Sequence, residues 1–141
     1  MNNTKALIIA ITLLFSSNSY ASIRVIDGDT IELGKEYTPV IVGAMEDGTI
    51  PLYKIRLYAI DTPEKRGKCQ KEKDLAKKAT QFTKNAIKNA KDIDIKIIKN
   101  DKYGGRLIGK VYVDSLDLSN LLIKEGLAVP YFGKTKKSWC D

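Results

Sequence analysis

The sequence has no histidine among its 141 residues. That absence excludes Ser-His and Cys-His nucleophile pairs and any histidine general base. Only two cysteines are present, Cys69 and Cys140, and without histidine they cannot supply the four ligands of a zinc site. No internal repeat and no low-complexity stretch occurs. The stretch from Ala6 to Phe15, ten residues apolar except for Thr12, is too short to cross a bilayer as a helix. Any catalysis therefore has to come from carboxylates, arginine, lysine, tyrosine and a bound metal.

What is present begins with residues 1–21. Lys5 is the only charge there, the apolar run follows it, and Ser19-Tyr20-Ala21 has the small-x-small form of a signal-peptidase site. This predicts a cleaved signal peptide over 1–21 and an exported domain over 22–141, periplasmic or released. A retained membrane anchor is the competing reading. The remaining domain would be 141 − 21 = 120 residues, enough to bury a single core. Its charge would be +7 − 1 = +6, since the leader removes one lysine. A basic exported protein meets polyanions, such as nucleic acid, acidic polysaccharide or anionic lipid. In that setting Cys69 and Cys140 read as one disulfide, worth about 4 kcal/mol by chain-entropy arithmetic. Two free thiols are the alternative.

The pattern along the chain is mostly β. Ile23 to Ile26 and Thr30 to Leu33 flank the Asp27-Gly28-Asp29 turn and read as a hairpin. Residues 34–51 read as a loop or long hairpin, with a possible strand at Val40 to Val42. Tyr53 to Ile60 is a further strand, ended by Thr62-Pro63-Glu64. From about Asp74 the period changes. Leu75, Ala79, Phe82, Ala86 and Ala90 form one apolar helical face, with lysines filling much of the rest. Ile93, Ile95 and Ile97 alternate with polar residues, and Leu107 to Val113 forms another strand. Leu121 to Ile123 makes a short helix capped by Asp117 or Ser119 and stopped by Gly126. Five short strands with one long and one short helix predict an α+β, mostly β chain built on a partly open five-stranded OB-fold barrel, a recurrent nucleic-acid platform.

If the strands around Asp29 and Arg56 lie side by side, then Asp29, Asp61 and Glu64 converge beside Arg56. Carboxylates around an arginine suit a hard cation and a phosphate. Taken singly, Asp27-Gly28-Asp29, Asp61-Thr62-Pro63-Glu64 and Lys102-Tyr103-Gly104-Gly105 are each ordinary turns. Arg56 alone is an ordinary strand-face ion-pair partner. Their joint presence, in this order and in a basic chain, favours a functional site.

Four blocks carry a resemblance. They are Val-Ile-Asp-Gly-Asp-Thr at 25–30, Arg-Leu-Tyr-Ala-Ile-Asp-Thr-Pro-Glu at 56–64, Asp-Lys-Tyr-Gly-Gly-Arg-Leu at 101–107 and Leu-Leu-Ile-Lys-Glu-Gly-Leu-Ala at 121–128. Together they resemble the staphylococcal nuclease (thermonuclease) family over nearly all of residues 22–141. The resemblance implies an OB barrel and a calcium-dependent, sugar-nonspecific nuclease acting on DNA and RNA. Asp29 and Asp61 would bind calcium with the Thr62 carbonyl, and Glu64 would orient or deprotonate the attacking water. Arg56 would hold the scissile phosphate, Lys102 and Tyr103 the terminal phosphate, and Tyr131 would pack near the nucleotide. The chain departs from the family pattern where Gly105 separates Tyr103-Gly104 from Arg106, the nearby candidate for a second phosphate clamp. Residues 34–53 also exceed the family's hairpin, and the sequence reaches Asp141 before the family's last long helix, with a Ser138-Trp139-Cys140 ending that resembles shorter exported members. A disulfide there would take over that helix's anchoring role.

Few aromatics are available to stack bases, so strong sequence specificity is not expected. Single strands are the favoured substrate, the expected state is a monomer, and no membrane contact is expected of the cleaved form. A catalytically inactive OB module that binds nucleic acid is the alternative from another functional class. A basic protein directed at polysaccharide or membrane fits less well, for want of a bulky amphipathic basic helix.

Overall fold

Two β-rich runs around Asp27-Gly28-Asp29 fold back on each other and start the sheet. β1 (Ile23–Asp27) pairs antiparallel with β2 (Thr30–Leu33), whose four residues are all buried. β3 (Tyr53–Leu57) pairs antiparallel with β2, with Thr30 opposite Arg56 and Ile31 opposite Ile55. The structure, a computed structural model, describes residues 23–34, 53–102 and 105–141. The expected signal peptide at 1–21, the possible strand at 40–42 and Tyr103 lie outside the described residues.

The expected strand from Tyr53 to Ile60 is not continuous. Ala59 adopts φ 62°, in the left-handed region, and the chain turns there. Ile60 and Asp61 leave the main sheet as β4 (Ile60–Asp61). A β-rich run with no glycine or proline gives no warning of such a break, which costs an alanine about 1–2 kcal/mol. The consequence is functional, because it directs Asp61 away from the register of Arg56.

α1 (Gln70–Asn89) begins four residues before the expected start at Asp74. Cys69 caps it, its sulfur accepting from Glu72 N at 3.4 Å. The buried face is Ala76, Ala79, Thr80, Thr83 and Ile87, while Leu75, Phe82 and Ala86 of the expected stripe are half-buried and Ala90 is the cap residue beyond the helix. The rotation comes from threonines whose hydroxyls are satisfied. Thr80 Oγ1 donates to Ala76 O at 2.9 Å, and Thr83 Oγ1 donates to Gly28 O at 2.8 Å. A side chain at Gly28 would place its Cβ 2.7 Å from that of Ala79, so only glycine lets the acidic turn sit this close to α1.

β5 (Ile93–Asn100) and β6 (Leu107–Val113) pair antiparallel, and β6 lies parallel to β3. β7 (Leu116–Asp117) pairs with β6 and leads into α2 (Leu118–Lys124). Asp117 caps α2 by accepting from Ser119 N at 2.8 Å, and Gly126 at φ 71° follows its end, as the sequence predicts. β8 (Val129–Pro130) pairs with β4 in a second small sheet. The two-residue strands β4, β7 and β8 are too short to leave a periodic signal.

The main order is β1-β2-β3-β6-β5, the five-stranded OB sequence of neighbours, with α1 inserted after the third strand. β1 and β5 do not pair among the described residues, so the barrel is not closed along that seam. Ile31, Leu33, Ile55, Leu57, Val111, Leu118 and Leu122 fill its fully buried centre. No helix among the described residues is long and apolar enough to cross a membrane.

Candidate active site

The β2–β3 register sets one half of the site. Leu57 N donates to Asp29 O at 2.8 Å, bringing the end of the acidic turn against β3. Asp29 Oδ2 then lies 3.8 Å from Arg56 Nη2. The same guanidinium donates to Ile60 O at 3.2 Å and sits 6.0 Å from the centre of the Tyr131 ring. Asp29 Oδ1 accepts from Thr30 Oγ1 at 3.0 Å, and its own N–H donates to Asp27 Oδ1 at 3.2 Å. Burial, then the charge of Asp27 and the hydrogen bond to it, push the Asp29 carboxyl up to about 6, against the opposing pull of Arg56 and Thr30.

The break at Ala59 sets the other half. Asp61 is buried behind the cleft, the buried Thr62 lines it, and Glu64 stands at its edge with a side chain 62 % exposed. Glu72, buried in the first turn of α1, fixes the loop that carries Glu64. Its carboxylate accepts from Lys68 N at 2.8 Å and from Glu64 N at 3.4 Å. Asp61 Oδ2 accepts from the buried Trp139 Nε1 at 3.5 Å. Asp61 Oδ1 lies 3.1 Å from Lys136 Nζ, which is also 3.6 Å from Glu64 Oε1 and 5.6 Å from the Tyr131 ring. Burial draws the Lys136 ammonium down, but the hydrogen bond and charge of Asp61, with Glu64 adding, outweigh it and hold its pKa above the ordinary lysine value.

These groups open onto a cleft of about 790 Å³ whose lining includes Asp29, Arg56, Thr62, Glu64, Lys102, Arg106 and Tyr131. Asp61 backs it without lining it. Arg106 reaches the cleft despite Gly105, which takes up the extra residue at φ 69°. Its Nε donates to the buried Asp101, and Asp101 N donates to Arg106 O at 3.1 Å, so the arginine is held on the cleft wall by an ion pair.

Three contributors escaped the sequence reading. Asp27 passed for turn chemistry, and Lys136 and Trp139 of the tail were given no role in the site. The signal that finds the two tail residues is Cys69, five residues after Glu64. It forms a disulfide with Cys140, Cα atoms 6.0 Å apart, and so brings the tail back to the acidic loop.

Among the described residues no three of the Asp27, Asp29, Asp61 and Glu64 carboxylates bring oxygens within 4.8 Å of one another, so the match to a hard cation is one of donor chemistry. Asp29 and Asp61, with the Thr62 carbonyl, offer only oxygen, the set that calcium or magnesium takes. Among the described residues Asp29 pairs with Arg56, and Asp61 and Glu64 share Lys136, while Lys102 and Arg106 line the same cleft.

One consequence is a stability effect with a definite pH window. A carboxyl whose folded pKa is raised to about 6 from 3.8 favours folding below its unfolded value and loses that contribution as pH rises through 6. In chelator, Asp29→Asn is expected to exceed wild type in stability at pH 8 by roughly 1–3 kcal/mol and to show no gain near pH 3.5. Urea midpoints at both pH values measure it; an equal or lower midpoint at pH 8 contradicts it.

The family described as staphylococcal nuclease homologue matches residues 54–139. A thermonuclease from Staphylococcus hyicus is 31 % identical over 114 residues, covering 80 % of this chain and 59 % of its own length. Endonuclease YncB of Bacillus subtilis (strain 168) is 33 % identical over 122 residues, covering 84 % of this chain and 51 % of its own. The chain thus spans between half and three-fifths of the length of these two relatives.

Proposed function

The chain belongs to the staphylococcal nuclease family, and from that premise we propose that it is an exported, calcium-dependent nuclease hydrolysing the phosphodiester bonds of both DNA and RNA, single strands preferred. The observation that carries the reading is the meeting of Asp29, Arg56 and Glu64 on one cleft, with Asp61 directly behind it. Export is supported by the leader pattern of residues 1–21 and by the disulfide.

Asp29, Asp61 and the Thr62 carbonyl would hold the calcium ion, which when bound supplies positive charge to the phosphate. Arg56, already aligned by Asp29 and the Ile60 carbonyl, presents its guanidinium fork to the equatorial oxygens as negative charge builds. Glu64, exposed at the cleft edge, accepts the proton of a water whose oxygen bonds to phosphorus. The bond from phosphorus to the leaving sugar oxygen breaks, and that oxygen recovers a proton from solvent. Lys102 and Arg106 add positive charge along the cleft, and Tyr131 provides an aromatic face beside Arg56. Contacts to phosphate and sugar rather than to base edges give cleavage without sequence selection.

Two carboxylates and a carbonyl leave much of a calcium shell to water and substrate. Half-maximal activation is therefore expected at about 10⁻⁴ to 10⁻³ M calcium, the range of extracellular sites. A calcium titration of single-stranded DNA digestion measures it. Full activity in excess chelator would overturn the metal dependence.

A further inference from the structure

Lys136 has no part in the chemistry above, yet its ammonium stands among the acids that the chemistry uses. Asp61 is buried, its side chain only 4 % exposed, and its two oxygens are already assigned. Oδ2 faces the Trp139 indole, and Oδ1 faces Lys136 Nζ at 3.1 Å. Oδ1 is therefore the oxygen left for a cation arriving from the cleft, and Lys136 is in contact with it. Two cations in contact with one carboxylate oxygen repel strongly in a half-buried site. The lysine is the partner able to move. Its side chain is 49 % exposed on a flexible stem, whereas Asp61 is fixed by β4 and Trp139. The Tyr131 ring beside it offers the displaced ammonium a second favourable contact.

We propose that Lys136 is a displaceable counter-ion of Asp61, that a divalent cation gains Asp61 Oδ1 only as the ammonium leaves it, and that this residue sets the site's affinity for metal. The inference rests on the reading of Asp61 as a metal ligand. Lys136 then acts as a positioning residue that neutralises the acids and is exchanged for a stronger cation.

The test measures metal binding without nucleic acid. Trp139 is the chain's single tryptophan and contacts Asp61, so it can sensitise the luminescence of bound terbium, which calcium then displaces. Wild type, Lys136→Met, Lys136→Arg and Asp61→Asn are compared as full-length proteins. Lys136→Met is expected to bind calcium about three- to tenfold more tightly than wild type, the scale of removing one competing ion pair. Lys136→Arg, which restores the charge, should return to within about twofold of wild type. Lys136→Gln, neutral but able to hydrogen-bond, repeats the measurement should the methionine variant misfold. If the neutral variants bind calcium no more tightly than wild type while Asp61→Asn abolishes binding, the counter-ion role is overturned and the metal site stands. If Asp61→Asn binds as wild type does, the metal reading falls and the counter-ion role with it.

Discussion

Arg56→Ala is expected to lower kcat/KM for single-stranded DNA by at least about 10²-fold, the scale of losing one preorganised donor to a developing oxyanion. The guanidinium is held in place before substrate arrives, by Asp29 at 3.8 Å and the Ile60 carbonyl at 3.2 Å, with its side chain only 15 % exposed. Substrate therefore meets an ordered fork rather than a mobile one. The substitution also removes the one cation paired with Asp29 among the described residues, leaving that carboxylate beside Asp27 with less to offset it. Arg56→Lys should recover little, because a point-charge ammonium cannot make the planar paired contacts of a guanidinium. A loss below threefold in the purified Ala variant, with its melting curve intact, would remove Arg56 from the phosphate-binding role.

The second large effect concerns the disulfide. Replacing Cys69 and Cys140 by serine releases a cross-link that spans 71 positions, and should cost about 2–5 kcal/mol of stability. For a domain of this size that lowers the melting temperature by roughly 10 °C or more. The loss reaches the site because the tail held by Cys140 also supplies Trp139 and Lys136 to Asp61 and Glu64. Activity is therefore expected to fall at temperatures where the fold still persists, together with the Trp139 emission characteristic of a buried indole. Dithiothreitol on wild type should reproduce both effects. A variant melting within about 2 °C of wild type, with unchanged calcium affinity, would show that the disulfide supports neither the fold nor the site.

Where local pattern and tertiary contact agree, the structure is legible in the sequence. The β1–β2 hairpin, β6, α2 with its Asp117 cap and the OB order of the main strands follow from alternation, turn residues and the family resemblance. Asp29 and Arg56 meet because the β2–β3 register places Thr30 opposite Arg56. The placement of Asp61 is different. It depends on Ala59 in a left-handed conformation, which no propensity favours, and on pairing with β8 from the other end of the chain. The buried face of α1 is misread for a related reason. Thr80 and Thr83 count as polar in any periodicity, yet a hydrogen bond to the Gly28 carbonyl makes Thr83 a core residue. Lys136 and Trp139 have no local signature. Only a disulfide from Cys69 to Cys140 makes the tail a neighbour of the acidic loop.

The most direct measurement digests one single-stranded DNA and an RNA of matching sequence with wild type and with Glu64→Ala, in calcium and in excess chelator. Wild type is expected to degrade both substrates in calcium and neither in chelator. Glu64→Ala, altered at an exposed side chain whose loop is held through its backbone by Glu72, should fold normally and lose at least about 10²-fold in rate. Cleavage by the variant at wild-type rate would contradict the assigned base. Tight, salt-sensitive binding of both nucleic acids by wild type, with no cleavage in any divalent metal, would make the chain a binding module in place of an enzyme.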